Sequence, residues 1–348
     1  MKADNNMNTT KKILAIAVPL FMLVGCYDPY VLDYEYSGVY VANQYDLRTF
    51  VVGEGMKFEL GTVLGGVISN TQDRNVRFVI DDNLVTEDLS SFGAEESFTA
   101  IDGMLGSAPV GSLSQKYVTE EVQAAGITAL TPLPASHFTL SNNDRMVIAS
   151  GKHTGTVTLK ADSLAFLADD NASTHPYYAI AYRIISADAD TVLLSKSFGI
   201  IAVKYENMFY GYWYHGGKCQ VTAADGTTTE KVYATKVPAD GNTSEVYTLS
   251  TVAPFVLETN YFHNTANQKM QISAQDGKIT VSSADGSITD TGSSWNGAKL
   301  LQDRKIFLNY QYTSDDGSKT VVTDTLTFRN RIRDGVSEWQ DENPAHYK

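Results

Sequence analysis

The sequence predicts an all-β protein whose chain folds in two halves. Three observations predict this class. Short runs rich in β-branched and aromatic residues recur from residue 39 onward, several of them alternate apolar with polar positions, and Gly, Asn or Asp separates one run from the next. Of the 348 residues, those after position 25 are enough for two domains of about 150 residues each.

The N-terminal segment has the pattern of a bacterial lipoprotein signal. Lys11 and Lys12 precede an apolar run over residues 13–22, and Leu-Val-Gly then leads directly to Cys26. A positive start, a short apolar run and small residues at the cut are typical of a secretory signal. The run is shorter than the roughly 20 apolar residues that a permanent membrane-spanning helix needs. We therefore expect removal of residues 1–25, acylation of Cys26, and a chain tethered to a membrane.

Residues 26–37 have no regular apolar period, which predicts a short tether between the lipid anchor and the folded body. The acidic residues Asp28, Asp33 and Glu35 are compatible with export to the cell surface. This segment alone leaves open whether the anchor lies on the inner or the outer face of an outer membrane.

The charge and cysteine content exclude several classes of function. The chain has 40 acidic and 27 basic residues, a net charge of −13, and loss of the lysine-bearing signal would make the mature chain more acidic still. Nucleic acid is an unsuitable partner because phosphate binding depends on Lys and Arg. Cys219 is the only thiol besides Cys26, so an internal disulfide and a CxxC metal site are both excluded.

The first half predicts an immunoglobulin-like β-sandwich over residues 38–205, because about seven short strands with one apolar face are typical of that fold. The predicted strands cover residues 39–41, 48–52, 56–60, 75–81, 145–148, 154–159, 177–186 and 193–205. An insertion over about residues 90–134, rich in Gly, Ser and Ala, is long for a structureless loop. It is either an ordered elaboration of the sandwich or a mobile flap.

The second half, residues 206–348, predicts an antiparallel up-and-down β-barrel of the lipocalin-like kind. Asp-Gly pairs recur at Asp225-Gly226, Asp240-Gly241, Asp276-Gly277, Asp285-Gly286, Asp316-Gly317 and Asp334-Gly335. Asp-Gly favours the type I′ turn of a tight hairpin, because glycine and aspartate tolerate positive φ angles. Consecutive hairpins form a meander, which commonly hides its edges by closing into a barrel.

Motifs of catalysis are absent from the sequence. It contains no GxSxG, no HExxH, no phosphate-binding glycine loop and no EF-hand pattern. Its six histidines are not spaced as the ligands of a metal site usually are. We therefore expect neither a metal, nor a cofactor, nor enzymatic activity.

Aromatic residues are the better candidates for function. The chain has 20 Tyr, 14 Phe and 3 Trp, and residues 209–215 cluster several of them, including Tyr210, Trp213 and Tyr214. An exposed ring offers a flat apolar face to a sugar, but alternation along a strand would bury half of these rings in a core. Trp295, in a polar Gly/Ser setting, is either a binding residue or a plug at one end of the barrel. These four residues are the predicted glycan-binding candidates.

Several stretches together resemble a family of two-domain Bacteroidetes surface lipoproteins. They are Val39-Tyr40-Val41-Ala42-Asn43-Gln44, Leu64-Gly65-Gly66-Val67, Asp73-Arg74-Asn75-Val76, Leu133-Pro134-Ala135-Ser136-His137-Phe138-Thr139-Leu140, Asp303-Arg304-Lys305, Asn309-Tyr310 and Phe328-Arg329-Asn330-Arg331-Ile332-Arg333-Asp334-Gly335-Val336. Members of the family have an immunoglobulin-like N-terminal domain and a β-barrel C-terminal domain, both of unknown function. None of these stretches is a known catalytic motif.

The resemblance implies a role in polysaccharide utilisation, beside a TonB-dependent transporter and a SusD-like lipoprotein. It implies a non-catalytic lipoprotein that faces the cell exterior from the outer membrane and holds oligo- or polysaccharide there. The alternative is a structural or adhesive surface protein that contacts protein partners through strand edges or apolar patches. Exposed rings grouped in a cleft would favour glycan, and a broad flat apolar patch would favour adhesion.

Overall fold

A computed structural model describes residues 36–86, 121, 124–126, 130–233, 246–260 and 269–341. The predicted signal, Cys26, most of the tether and most of the insertion over residues 90–134 lie outside the described residues. Within the described residues β-strands dominate, and the all-β class predicted from the sequence is confirmed.

The strands of the first half are β1 (Gly38–Tyr40), β2 (Tyr45–Val52), β3 (Lys57–Gly65), β4 (Arg74–Ile80), β5 (Thr131–Pro132), β6 (Phe138–Leu140), β7 (Arg145–Ile148), β8 (Thr154–Ala161), β9 (Tyr178–Ala187), β10 (Thr191–Val192) and β11 (Phe198–Asn207). Those of the second half are β12 (Gly211–Thr222), β13 (Thr228–Tyr233), β14 (Val246–Ala253), β15 (Val256–Thr259), β16 (Met270–Gln275), β17 (Lys278–Ser283), β18 (Thr289–Asp290), β19 (Ser294–Trp295), β20 (Lys305–Thr313), β21 (Lys319–Arg333) and β22 (Val336–Glu338). The described helices are α1 (Asn83–Thr86), α2 (Ser163–Leu167) and 3-10 turns at Ala135–His137, Leu194–Lys196 and Leu301–Asp303.

The first half consists of two sheets around one core. One sheet has the strand order β10-β1-β3-β8-β6, and the other has β2-β11-β9-β4-β7 with β5 beside β9. Leu60 and Leu159 from the first sheet and Phe78 and Ile180 from the second lie buried in the same apolar cluster. In the first sheet, polar residues alternate with these along β8, so that strand keeps one face in the core and one in water. The second sheet differs, because β11 is buried along almost its whole length and so has both faces out of water.

The second half is a nearly closed barrel. Its strand order is β17-β16-β15-β14-β12-β21-β20-β18, so the chain forms a meander whose first strand, β12, pairs with β21 near its end. Trp213, Ile272, Leu308 and Leu326 are fully buried and belong to its single core cluster. The pairing of β12 with β21 brings the sheet round on itself and removes two exposed edges.

The Asp-Gly pairs make turns of two kinds. Asp276 and Gly277, and likewise Asp334 and Gly335, all have positive φ angles, as a two-residue type I′ turn requires. At Asp225-Gly226, Asp285-Gly286 and Asp316-Gly317 only the glycine has a positive φ angle. The type I′ prediction is wrong for these three, because their longer loops place the pair at the end of a turn that closes on a left-handed glycine. Asp240-Gly241 lies outside the described residues.

A buried carboxylate joins the two halves. Glu54, between β2 and β3, accepts hydrogen bonds from Arg304 Nη1 at 2.6 Å and from Arg331 Nη1 and Nη2 at 2.8 and 2.9 Å. Arg304 also donates to the carbonyl of Met208, and Arg331 to Glu338. Burial alone would raise the pKa of Glu54, but Arg331 and Arg304 outweigh it and lower the pKa to about 2.

A second contact between the halves uses the β21–β22 turn. Asp334 accepts a hydrogen bond from Thr49 Oγ1 at 2.8 Å, and its other oxygen lies 3.7 Å from Arg48 Nη1. Arg48 also pairs with Asp46 at 2.7 Å. Burial raises the pKa of Asp334 in spite of these partners.

Replacement of Glu54 should lower the free energy of unfolding of the protein. Glu54→Gln removes the charge that the two buried guanidinium groups share, and breaking such a pair costs about 3–5 kcal/mol at neutral pH. The pKa of Glu54 is lowered from 4.5 to about 2, so its stabilisation is complete above pH 4.5 and is lost as the pH falls toward 2. Urea denaturation across this pH range should show a smaller decline for Glu54→Gln than for the unmodified protein.

Glu59→Gln is the control, because Glu59 is an exposed glutamate on β3. Equal losses of stability in the two variants would contradict the role given to Glu54.

Candidate functional site

Two of the predicted glycan-binding residues, Trp213 and Tyr210, are buried in the barrel, so the expectation that they could be exposed is wrong. Trp213 is 0% exposed, packs edge-on against Phe328 at 5.3 Å, and donates its indole N–H to the carbonyl of Phe209. Tyr210 is 8% exposed, and its ring lies 5.3 Å from the guanidinium of Arg331. Trp213 points inward because alternate residues of β12 face the core, so its ring offers no face to a ligand.

Trp295 and Tyr214 have different surroundings. Trp295 is partly buried, packs edge-on against Phe209 at 5.1 Å, and donates its indole N–H to the carbonyl of Gly277. It thereby bridges β19 to the turn before β17. Tyr214 is partly exposed and lies on the outer face of the barrel.

A surface cleft in the first half was not predicted from the sequence. It lies at one end of the sheet that contains β1 and has a volume of about 780 Å³, within the usual range of ligand sites. Its lining residues are Tyr36, Gly38, Tyr40, Gly65, Gly66, Thr191, Leu193, Leu194, Ser195 and Lys196. We call this feature the β1 cleft.

Glycines form the floor of the β1 cleft. Gly66 has a φ angle of +79°, and a Cβ there would lie 2.2 Å from the carbonyl oxygen of Tyr36. A Cβ on Gly65 would lie 3.1 Å from the ring of Tyr40, so that ring lies directly over the glycine. Any larger residue at Gly66 would clash with the backbone and carry left-handed strain. The two glycines therefore allow the backbone of Tyr36 and the ring of Tyr40 to pack closely against the end of β3.

The walls of the β1 cleft combine rings, leucines and one cation. Tyr36 is 62% exposed, and Leu194 is 61% exposed. Leu193 is also exposed, and the ammonium of Lys196 lies 5.8 Å from the centre of the Tyr40 ring. Apolar walls with a few fixed polar groups are the usual composition of a small-molecule site.

A hydrogen-bond cluster holds the β1 cleft in shape. Asp190 accepts from the backbone N–H of Ser37 at 2.7 Å and from its hydroxyl at 2.6 Å. These bonds lower the pKa of Asp190, so the carboxylate is ionised at neutral pH. Strand β1 pairs with β10 in parallel, and the N–H of Leu193 continues the ladder to the carbonyl of Val39. The segments that form the two walls are thus fixed to each other.

The cleft residues left a weak signal in the sequence. Tyr40 and the Gly65-Gly66 pair lie in stretches that carry the family resemblance, and their pattern is also that of ordinary strands and turns. The opposite wall comes from residues 193–196, about 150 positions away in the chain. A pattern within a short stretch of sequence does not show that these two distant segments lie side by side.

Two histidine–carboxylate pairs occur away from the β1 cleft. His137 Nε2 lies 2.9 Å from Asp169, its Nδ1 lies 3.1 Å from Ser136 Oγ, and Asp169 also accepts from Tyr178. The backbone N–H of Asn171, Tyr178 and His137 together lower the pKa of Asp169 to about 2. We interpret this Ser–His–Asp chain as structural, because its hydrogen bonds join the 3-10 turn that contains Ser136 and His137 to the loop after α2 that contains Asp169.

The second pair lies inside the barrel. His215 Nε2 is 3.0 Å from Asp324, both side chains are fully buried, and the imidazole stacks on Tyr247 at 4.4 Å. Within the described part of the chain, no group of three or more His, Cys, Asp or Glu is placed to hold a metal ion. Neither α1 nor α2, each about one turn long, has the length or apolar run needed to span a bilayer.

Comparison with known proteins yields similarity of fold alone. No protein-family model matches the chain, and no curated protein matches it. A crystal structure of a protein of unknown function from Bacteroides ovatus is similar over 88% of this chain and 98% of its own, with a TM-score of 0.56 and 20% identity.

Two further solved structures have lower similarity. Another protein of unknown function from Bacteroides ovatus covers 88% of this chain and all of its own, with a TM-score of 0.35 and 11% identity. An auxiliary nutrient binding protein from Bacteroides thetaiotaomicron covers 90% of this chain and 99% of its own, with a TM-score of 0.31 and 14% identity. Similarity at this level supports no conclusion about the present chain.

Truncation of Trp213 should unfold the barrel more readily. Trp213→Ala leaves a cavity among Phe209, Phe328 and their neighbours, and such a change costs about 3–5 kcal/mol. Trp339→Ala is the control, because Trp339 is 60% exposed and its loss should change stability by less than about 0.5 kcal/mol. Guanidinium denaturation of both variants tests this, and similar midpoints would contradict the core position of Trp213.

Proposed function

We propose that this protein is a non-catalytic, lipid-anchored outer-membrane protein that binds glycans at the cell exterior, and that the β1 cleft holds part of the glycan. The observation that carries the proposal is the grouping of Tyr36 and Tyr40 over a glycine floor in one concave site. Rings collected in a cleft are the arrangement expected of a sugar site, because each offers an apolar face to the C–H groups of a sugar ring.

The remaining groups of the β1 cleft suit sugar hydroxyls. Thr191 and Ser195 contribute hydroxyl groups, and Lys196 contributes an ammonium that can donate to a ligand oxygen. Among the residues that the structure describes, the lining has no carboxylate, imidazole or thiol. Hydrolysis of a glycosidic bond uses two carboxylates about 5–10 Å apart, so the chemistry of this cleft supports binding without cleavage.

We also infer that the first half is immunoglobulin-like and that the second is an up-and-down barrel of the lipocalin-like kind. In support, the β1-β3-β8-β6 order matches the A-B-E-D sheet of that sandwich, and β4-β9-β11 matches its C-F-G sheet. In the second half, strands that follow one another in sequence are neighbours almost throughout. The sequence resemblance to Bacteroidetes surface lipoproteins supports a SusD-like protein and a TonB-dependent transporter as partners.

Adhesion to a protein partner is the second candidate, and one observation favours it. Ile332, Val336 and Trp339 are large apolar side chains, all exposed, on or just after the β21–β22 hairpin. Exposed apolar groups of this kind mark contact sites in many proteins. Capture of a partner that is lost in Trp339→Ala, together with no binding to any glycan, would favour adhesion.

Lipidation is testable through Cys26. In a bacterium that expresses the full chain and is fed an alkyne-labelled fatty acid, the protein should take up the label and fractionate with the outer membrane. Cys26→Ser should abolish both, because it removes the thiol that would be acylated. Cys219→Ser is the control, since it removes the buried thiol instead. Labelling that survives in Cys26→Ser would contradict the proposed anchor.

Glycan binding is testable by affinity electrophoresis on a panel of plant and host polysaccharides. Tyr36→Ala and Tyr40→Ala should each weaken binding by roughly tenfold, because each removes a ring contact of about 1 kcal/mol or more. Phe255→Ala, an exposed aromatic on the β14–β15 turn, should leave the mobility unchanged. Retardation that is unaffected by both tyrosine variants would move the site away from the β1 cleft.

A further inference from the structure

The outer face of the strands β12, β21 and β20 has an unusual charge pattern. Its cations are Lys218, Lys305, Lys319 and Arg329, and its outward positions include no Asp or Glu. The one acidic residue of these strands, Asp324, points inward and is fully buried. In a chain with a net charge of −13, three adjacent strands with no carboxylate at an outward position are a local exception, and the neighbouring acid on β13, Glu230, pairs with Lys218.

Aromatic residues lie beside the cations at one end of this face. Tyr214 on β12 and Lys305 on β20 both pair with Thr327 on β21, so the three residues form one row across the sheet. Phe307, also outward, lies two residues from Lys305. Tyr212 lies two residues from Tyr214, about 7 Å along the same face. We call Tyr212, Tyr214, Lys305, Phe307, Thr327 and Arg329 the barrel-face platform.

A β-bulge sets the position of Arg329. Trp213 pairs with Phe328 and Tyr212 pairs with Asn330, so Arg329 is the extra residue on β21. Bulges commonly redirect a side chain. Here the guanidinium lies over the ring of Tyr214, 5.8 Å from its centre.

The cations of the platform are available to a ligand. Among the described residues, the ion pairs of this face involve Lys218, which lies 3.3 Å from Glu230, and neither Lys305 nor Arg329. A guanidinium matches a carboxylate with two parallel hydrogen bonds, and a nearby ammonium adds a point charge.

We propose that the barrel-face platform binds a carboxylate-bearing stretch of polysaccharide, in which the tyrosine rings stack on sugars while Arg329 and Lys305 bind uronate groups. This inference rests on the proposed glycan-binding function and adds a second site that selects acidic sugars. Rings that stack on sugars, beside a guanidinium that matches a carboxylate with two parallel hydrogen bonds, suit an acidic sugar chain.

The test uses the mature chain with Cys26→Ser and a matched pair of polymers: polygalacturonate and the same polymer after reduction of its carboxyl groups. Calorimetry should show tighter binding to polygalacturonate, weakened by added salt. The double variant Lys305→Ala with Arg329→Ala should weaken this binding by about tenfold or more, and Tyr214→Ala should weaken binding to both polymers. The control is Lys57→Ala with Lys160→Ala, an exposed pair that lies opposite one another on β3 and β8.

The outcomes separate this inference from the proposed function. Loss of the preference for polygalacturonate in the Lys305–Arg329 variant, with none in the control, would support the platform. Equal binding of the two polymers, reduced in Tyr40→Ala and unchanged in the platform variants, would overturn the platform while glycan binding stands. The Lys305–Arg329 variant could also lose binding to a short DNA duplex by the same factor as binding to polygalacturonate. That result would overturn the platform, because the face would then bind any polyanion. Absence of binding to every glycan would contradict both proposals.

Discussion

The carboxylate of Glu54 is the interaction on which the arrangement of the two halves depends. It is buried, and its two oxygens accept hydrogen bonds from guanidinium groups that belong to the other half of the chain. A buried charge is tolerated only where its partners satisfy it fully, and Arg304 and Arg331 in turn donate to backbone and carboxylate groups around them. Directional hydrogen bonds therefore specify the position of one half against the other. An apolar contact alone has no such directionality and would let the two surfaces shift.

The barrel has its own polar constraint around β12. Its interior holds the pair His215 and Asp324, and the backbone of β12 passes so close to β21 that a Cβ on Gly217 would lie 2.3 Å from the carbonyl of Thr323. Gly217 has a φ angle of +135°, which only glycine adopts without strain. The close approach allows the two strands to pair along their whole shared length. The same pairing produces the bulge that turns Arg329 outward.

The position of each candidate residue depends on which way its strand faces. Tyr214 and Trp213 are neighbours in sequence, yet one lies on the outer surface and the other at the centre of the barrel core. The sequence predicted that about half of these rings would be buried, since strand residues alternate between faces. Which half is buried follows from the register of β12 against β21 and β14. A shift by one residue would have exchanged Tyr214 for Trp213.

The sequence by itself determined the all-β class and the position of most hairpins, because alternation of apolar residues and the φ angles of Asp-Gly pairs are local properties. It did not determine the candidate site. The β1 cleft joins Tyr36 and Tyr40 to Gly65 on β3 and to residues 193–196 after β10, which meet only once the strands have paired. Such pairing depends on contacts between distant parts of the chain and on the burial of a shared core, and no short segment contains that information.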